Sequence, residues 1–199
     1  MINIGVLVSG GGTNLQALID AEKNGAISHG KIVTVVSSKP GVYALERAEK
    51  AGISSAVICK KDYTDQAAYD KALCSHMQKA GVGLIVLAGF LTILGDEILR
   101  VYKDRIINIH PSLIPAFCGD GFYGLKVHQA ALDYGVKVTG ATAHFVNEVT
   151  DGGRIILQKA VYIQPDDTAE TLQKRVMEEA EWKILPEAVE LFCAGKLDG

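Results

Sequence analysis

The sequence is poor in cysteine and carries no excess of positive charge. Its four cysteines among 199 residues are scattered, with no C-x-x-C pair, whereas a disulfide framework or a zinc site needs clustered pairs. Lysine and arginine number 20 against 23 aspartates and glutamates, for a net charge of −3. That balance lacks the basic footprint of a nucleic-acid-binding protein. We therefore expect reduced thiols, no zinc site and no nucleic-acid partner.

Long apolar runs and a targeting segment are also missing. No run approaches the roughly 20 residues that a membrane span needs. The first residues have the pattern of a strand rather than that of a basic leader with a cleavage site. These absences predict a cytoplasmic protein that does not associate with membranes. The length fits one domain with a sizeable core, and it leaves monomer and homodimer both open.

What the sequence does contain is a regular alternation of strand and helix patterns. Apolar strand patterns cover residues 2–10, 31–38, 55–60, 83–90, 105–110, 137–147 and 154–163. Helical patterns cover residues 13–25, 42–52, 64–81, 95–103, 125–135 and 168–194, and Pro186 is expected to break the last of them. The alternation predicts an α/β fold with a doubly wound, mostly parallel, Rossmann-like sheet of about seven strands and helices on both faces. The short turn before the last strand predicts one antiparallel strand near the C-terminal edge.

A glycine-rich loop, SGGGTN at residues 9–14, follows the first strand and opens the first helix. Free N–H groups at such a helix N-terminus form an anion site, and Thr13 and Asn14 can add side-chain donors. The loop departs from the dinucleotide fingerprint because Leu15 stands where the third glycine is required, and it also lacks the G-K-[ST] of a Walker A loop. The pattern favours a monophosphate ligand, with a purely structural turn as the alternative.

Asn108 and His110 end the strand predicted at 105–110. Because residues i and i+2 of a strand point to one face, the amide and the imidazole project together. An amide and an imidazolium can donate to a developing oxyanion, and Asp151, next to two glycines, is a candidate to keep His110 charged. The spacing alone leaves open a strand-end histidine and a simple Asp-Gly turn.

Four segments together carry a resemblance to a known family: VLVSGGGTNLQALI, LAGF, INIHPSLIP and HFVNEVTDGGRIILQ. From residue 2 to about residue 195 the chain resembles the phosphoribosylglycinamide formyltransferases of purine synthesis. The resemblance implies transfer of the formyl group of 10-formyltetrahydrofolate to the amine of glycinamide ribonucleotide, without a metal. It also implies one formyltransferase domain over 1–199, with a phosphate-binding half at 1–104 and a catalytic and folate-binding half at 105–199.

The resemblance also implies roles for individual residues. Asn108, His110 and Asp151 would be catalytic, with His144 flanking the site, and Glu181 would contact the acceptor. The residues that would bind the phosphate are Gly12, Thr13 and Asn14. Those that would bind folate are Gln66, Leu91, Thr92, Ile93, Leu94, Asn108, Asn147 and Asp151.

Two features depart from the family pattern. Gln66 and Thr92 stand where some members carry basic residues, which leaves open how the glutamate tail of the folate is held. The loop AFCGDGFYGLK, residues 116–126, is longer and richer in glycine than expected, so its conformation and its role as a lid are open.

Other activities use the same residues or the same fold. A formyltetrahydrofolate hydrolase would use the same three catalytic residues with water as acceptor, although such hydrolases carry an extra N-terminal module. Formyltransferases that act on methionyl-tRNA or on sugar nucleotides usually have longer chains. A catalytically silent nucleotide-binding protein would bind phosphate at residues 12–14 without depending on His110.

Overall fold

Seven strands form the central sheet of the structure, a computed structural model that describes residues 1–197. They are β1 (Ile2–Val8), β2 (Gly30–Ser37), β3 (Ser54–Val57), β4 (Leu84–Leu87), β5 (Ile106–His110), β6 (Val138–Phe145) and β7 (Ile155–Tyr162). The strand order is β3-β2-β1-β4-β5-β6-β7. The first five strands are parallel, and β6 runs antiparallel to β5 and to β7. The predicted mostly parallel sheet with one antiparallel strand is therefore confirmed.

Helices cover both faces of this sheet, as predicted. They are α1 (Thr13–Lys23), α2 (Tyr43–Lys50), α3 (Gln66–Lys79), α4 (Asp96–Val101), α5 (Leu125–Tyr134), α6 (Ala169–Val176) and α7 (Trp182–Cys193). Buried side chains of α1, α2, α6 and α7 share one core with the sheet, and those of α3 and α4 share the other. No helix within residues 1–197 is long and apolar enough to cross a membrane.

The strand β1 shows why its sequence is a continuous apolar run. Ile4, Val6 and Val8 are buried in the core beneath α1 and α7, while Leu7 is buried in the core beneath α3. A strand covered on both faces needs apolar residues at successive positions. Full burial of each such side chain contributes about 1.5–3 kcal/mol relative to its exposure.

The strand order reverses beside β1, and this reversal positions the candidate site. The chain continues from β1 to β2 on one side, whereas β4 pairs with the other side of β1. The loops that follow β1 and β4 therefore diverge and leave a crevice at the carboxyl ends of the strands, where ligands bind in doubly wound sheets.

Several elements are shorter than predicted. The third strand ends at Val57, and the chain then makes a 3₁₀ turn (Lys60–Asp62). The fourth strand ends at Leu87. The predicted start of α3 at residue 64 was wrong by two residues, because the Asp65 side chain caps the helix by accepting from the Ala68 N–H at 2.8 Å.

The prediction that Pro186 breaks the last helix was wrong. Pro186 lies inside α7, and the irregularity comes earlier, as a π-helical turn (Met177–Glu181) between α6 and α7. Proline removes one intrahelical hydrogen bond and crowds the preceding turn. The helix continues because α7 buries Leu185 and Val189 against the sheet, and this burial outweighs the local cost.

Candidate active site

Asn108 and His110 both line a cavity of about 790 Å³ at the carboxyl ends of the central strands. They lie on β5, which pairs with β4 on one side and with β6 on the other. His110 is 4% exposed. The period of two in the strand therefore places the amide and the imidazole on one face, as the spacing predicted.

Asp151 reaches this pair from the turn between β6 and β7. Its Oδ2 lies 3.4 Å from His110 Nδ1, and its Oδ1 accepts from Asn108 Nδ2 at 3.4 Å. The turn comes this close to the sheet because of Gly153, where an added Cβ would lie 1.7 Å from the Phe145 carbonyl oxygen. Only glycine fits there, and this steric limit explains why a glycine stands at residue 153, close to Asp151.

His144 on β6 orients the Asn108 amide. Its Nδ1–H donates to the Phe145 carbonyl at 2.8 Å, which leaves Nε2 to accept from Asn108 Nδ2 at 3.1 Å. His144 is buried, and its Nε2 lies 3.7 Å from Asp151 Oδ1. The position of His144 beside the site was predicted from the sequence, but its contact with the Asn108 amide was not.

The pKa shifts at the site oppose one another. Burial lowers the pKa of His110 by more than the Phe117 carbonyl and Asp151 raise it, and His144 lowers it further. Burial raises the pKa of Asp151, but the contacts with His144, His110 and the Gly119 N–H together bring it below its usual value. Burial thus has a larger effect on the pKa of His110 than the Asp151 carboxylate has, and the role of Asp151 in keeping His110 charged stays a prediction.

The glycine-rich loop has the geometry of an anion site. Gly12 precedes α1 in the left-handed conformation (φ 73°), with no side chain capping the helix. An added Cβ at Gly12 would come within 2.7 Å of the Ala44 side chain, so a larger residue would not fit. Gly12, Thr13 and Asn14 line the cavity. The first N–H groups of a helix have no intrahelical partner and suit a negatively charged group.

Asn14 and Glu181 meet across the cavity although 167 residues separate them. Asn14 Nδ2 donates to Glu181 Oε2 at 2.7 Å, and burial raises the pKa of Glu181 to about 7. Glu181 ends the π-helical turn, a local widening that often accompanies functional sites. The Asn14 amide group predicted to add a donor for phosphate therefore donates to Glu181, and its buried Oδ1 has no partner within residues 1–197.

Several residues predicted to bind folate line another part of the cavity. Leu91 and Ile93 line the cavity and are largely exposed. The cavity is also lined by Thr92, Leu94 and Asn147, which were predicted to bind folate. Gln66 does not line the cavity. Its Nε2 donates to Asp70 Oδ1 at 2.6 Å and to the Ile93 carbonyl at 3.2 Å. Gln66 thus supports the loop that lines the site, and its predicted contact with folate stays a prediction.

Two residues at the cavity were not identified from the sequence. Lys39, just after β2, is the only lysine or arginine among the described residues that line it. Its position at the carboxyl end of a strand next to β1 was the signal that could have found it. His128 on α5 is buried, and neither ring nitrogen has a hydrogen-bond partner within residues 1–197.

The family described as formyl transferase matches the chain over residues 2–189. The chain belongs to the formyl transferase family. A crystal structure of a glycinamide ribonucleotide transformylase from Symbiobacterium toebii superposes with a TM-score of 0.94 at 44% identity, covering 100% of this chain and 91% of that one. Among the residues that the structure describes, no group of three or more histidine, cysteine, aspartate or glutamate side chains could hold a metal ion.

Curated members of the formyl transferase family include two kinds of protein. The phosphoribosylglycinamide formyltransferase of Haemophilus influenzae is 41% identical over 99% of this chain and 90% of its own length. The trifunctional purine biosynthetic protein adenosine-3 of Bos taurus is 45% identical over 96% of this chain but only 18% of its own length. The chain thus spans less than a fifth of the trifunctional relatives that it matches.

Proposed function

We propose that this chain is a phosphoribosylglycinamide formyltransferase of purine biosynthesis. It transfers the formyl group of 10-formyltetrahydrofolate to the primary amine of glycinamide ribonucleotide, in the cytoplasm. The observation that carries the proposal is that one cavity contains both the anion-binding loop and Asn108, His110 and Asp151. The names and coverage of the relatives support the same reaction.

The two substrates enter from opposite ends of this cavity. The ribose phosphate binds the N–H groups of Gly12 and Thr13, near Lys39, and the glycinamide part of the acceptor contacts Glu181. The pterin of the folate lies between Leu91–Leu94 and Asn147–Asp151. Leu91–Leu94 belongs to the predicted half 1–104, and Asn147–Asp151 and Glu181 belong to the half 105–199, so both halves contribute to binding.

Formyl transfer then proceeds through a tetrahedral intermediate. The acceptor amine attacks the formyl carbon, and the carbonyl electrons move to oxygen. The Asn108 amide and protonated His110 stabilise this oxyanion. An oxyanion beside the imidazole raises its pKa, so His110 gains its charge as the intermediate forms.

Asp151 supports the charged imidazole and assists the one proton transfer that the reaction needs. A water hydrogen-bonded to its carboxylate takes a proton from the attacking nitrogen and delivers one to N10 of the folate. The bond between the formyl carbon and N10 breaks, which yields formylglycinamide ribonucleotide and tetrahydrofolate. A primary amine is already a competent nucleophile, so the chemistry calls for no metal activation.

The experiment that tests this function follows folate deformylation by absorbance with and without glycinamide ribonucleotide. Turnover that depends on the acceptor, and that His110→Ala abolishes while ligand binding persists, is the expected result. Turnover without acceptor would instead identify a hydrolase built on the same three residues. No turnover in either condition would contradict both activities and favour a silent nucleotide-binding protein.

A further inference from the structure

The loop that follows β5, residues 111–124, contacts the proposed catalytic residues through its main chain. His110 Nε2 lies 2.9 Å from the Phe117 carbonyl oxygen. Two residues further on, the Gly119 N–H donates to Asp151 Oδ2 at 2.9 Å. The loop therefore bonds the imidazole and the carboxylate at the same time.

The contact with Phe117 determines where His110 carries its proton. A carbonyl oxygen can only accept a hydrogen bond, so Nε2 must be protonated whether the ring is neutral or charged. The other nitrogen, Nδ1, lies 3.4 Å from Asp151 Oδ2, beyond the usual hydrogen-bond length. Without the carbonyl, a neutral imidazole next to a carboxylate would place its single proton on Nδ1, toward that carboxylate.

Phe117 needs support to hold its carbonyl in this position. Its φ of 50° lies in the left-handed region, which is unfavourable for a residue with a side chain. Its ring packs edge-to-face against Phe122, with centroids 6.5 Å apart, and against Tyr134 of α5, with centroids 5.9 Å apart. We call these three rings, Phe117, Phe122 and Tyr134, the aromatic clasp.

Three other titratable side chains face His110: Asp151 from the turn after β6, His144 from β6 and His128 from α5. None of them can replace the carbonyl at Nε2. Asp151 faces Nδ1, and both nitrogens of His144 are engaged with Phe145 and Asn108. His128 has no hydrogen-bond partner within residues 1–197.

We propose that Phe117, held by the aromatic clasp, is a positioning residue that fixes the Nε2–H tautomer of His110. Nδ1 is then the ring nitrogen that gains and loses a proton at the site. The tautomer follows from the geometry alone. Its consequence for turnover rests on the proposed function, in which His110 stabilises the oxyanion. In that reaction Nδ1 takes the proton that the attacking nitrogen loses, through the water bound to Asp151. It returns this proton to N10 through the same water when the intermediate collapses.

The test is nuclear magnetic resonance of the ¹⁵N-histidine-labelled full chain, with the His110 signals identified by their loss in His110→Ala. At a pH above the pKa of His110, the wild-type ring should show a protonated Nε2 and an unprotonated Nδ1. In Tyr134→Ala the clasp loses one ring, so a population with the proton on Nδ1 should appear. Tyr134 is 80% exposed at the end of a helix, so this variant should fold.

Two control variants separate this role from a loss of packing. Tyr134→Phe keeps the ring and should keep the wild-type tautomer. Tyr162→Ala removes another exposed tyrosine from β7, outside the clasp, and should also leave His110 unchanged. In the transfer assay, Tyr134→Ala should lower kcat several-fold, shift the pH profile and leave KM for the acceptor nearly unchanged.

A wild-type His110 with its single proton on Nδ1 would overturn the proposal. So would a Tyr134→Ala variant with unchanged ring signals and pH profile. A higher kcat in Tyr134→Ala would also contradict it, because the loop would then restrain His110 instead of positioning it. The expected tautomer without acceptor-dependent turnover would support the assignment and count against the proposed function alone.

Discussion

Asp151 faces two neighbours at once, with one carboxylate oxygen toward His110 and the other toward Asn108. Only one of these contacts depends on charge. Replacing the carboxylate with an amide keeps the shape of the side chain and one accepting oxygen, which can serve Asn108 or the Gly119 N–H but not both. It removes the negative charge that stabilises a protonated His110, so Asp151→Asn separates charge from structure.

We expect Asp151→Asn to lower kcat by about 10²–10⁴-fold, the usual contribution of a proton-transfer group, and to change acceptor binding little. Steady-state kinetics and calorimetric titration with glycinamide ribonucleotide check this. Asp133→Asn, on the exposed side of α5, is the matched control and should be silent. Equal losses in kcat and in acceptor affinity would indicate a structural role for Asp151.

His128 predicts a pH dependence of stability. Burial lowers its pKa to about 4, with a smaller contribution from His110, whereas the unfolded chain titrates near 6.5. Between these values the unfolded state binds more protons than the folded state, so stability falls as the pH drops from about 6.5 to about 4. Roughly 3 kcal/mol is the upper limit of the effect.

Urea unfolding across this pH range measures that loss, and His128→Asn should flatten the curve relative to the wild type. Parallel curves for the two proteins would show that His128 is not the group responsible.

At the scale of an element, the turn between β6 and β7 is set by Gly153. Gly153→Ala would bring a methyl group into the Phe145 carbonyl, so the turn must move and carry Asp151 with it. We expect a loss of several kcal/mol in stability and a loss of most of the turnover, measured by thermal unfolding and by the transfer assay.

Gly25→Ala is the matched control for Gly153→Ala. Gly25 has a positive φ but nothing within 4 Å of an added Cβ, so the change should cost only about 1–2 kcal/mol and keep turnover. If both variants behaved alike, the close approach to Phe145 would not be the cause of the loss in Gly153→Ala.

At the scale of the whole molecule, the pairing of β4 with β5 joins residues 1–104 and 105–197 in one continuous sheet. The cavity lies across this junction, so ligand binding should stabilise the whole molecule. At 100 times its Kd, glycinamide ribonucleotide should add about 2.7 kcal/mol to the free energy of unfolding.

A thermal shift that persists in His110→Ala would support binding apart from chemistry. Glycinamide riboside, which is glycinamide ribonucleotide without its phosphate, should give a smaller thermal shift. It lacks the group that the N–H groups of Gly12 and Thr13 would hold. Equal shifts for the two compounds would argue against the phosphate site.

Much of the fold and part of the site could be predicted because they follow from local patterns. The alternation of apolar strands with amphipathic helices predicted the doubly wound sheet, and the spacing of Asn108 and His110 placed both side chains on one face. The same local rules failed where burial overrode them. Pro186 stays helical because α7 packs against the sheet.

By itself the sequence determined the order of elements, the glycine-rich turn before α1 and the paired orientation of Asn108 and His110, because backbone geometry acts over a few residues. Only the tertiary structure decided the contact of Asn14 with Glu181, the Phe117 carbonyl on His110 and the lowered pKa of that imidazole. These features depend on which distant segments meet and on how much water they exclude, and neither property is encoded in local spacing.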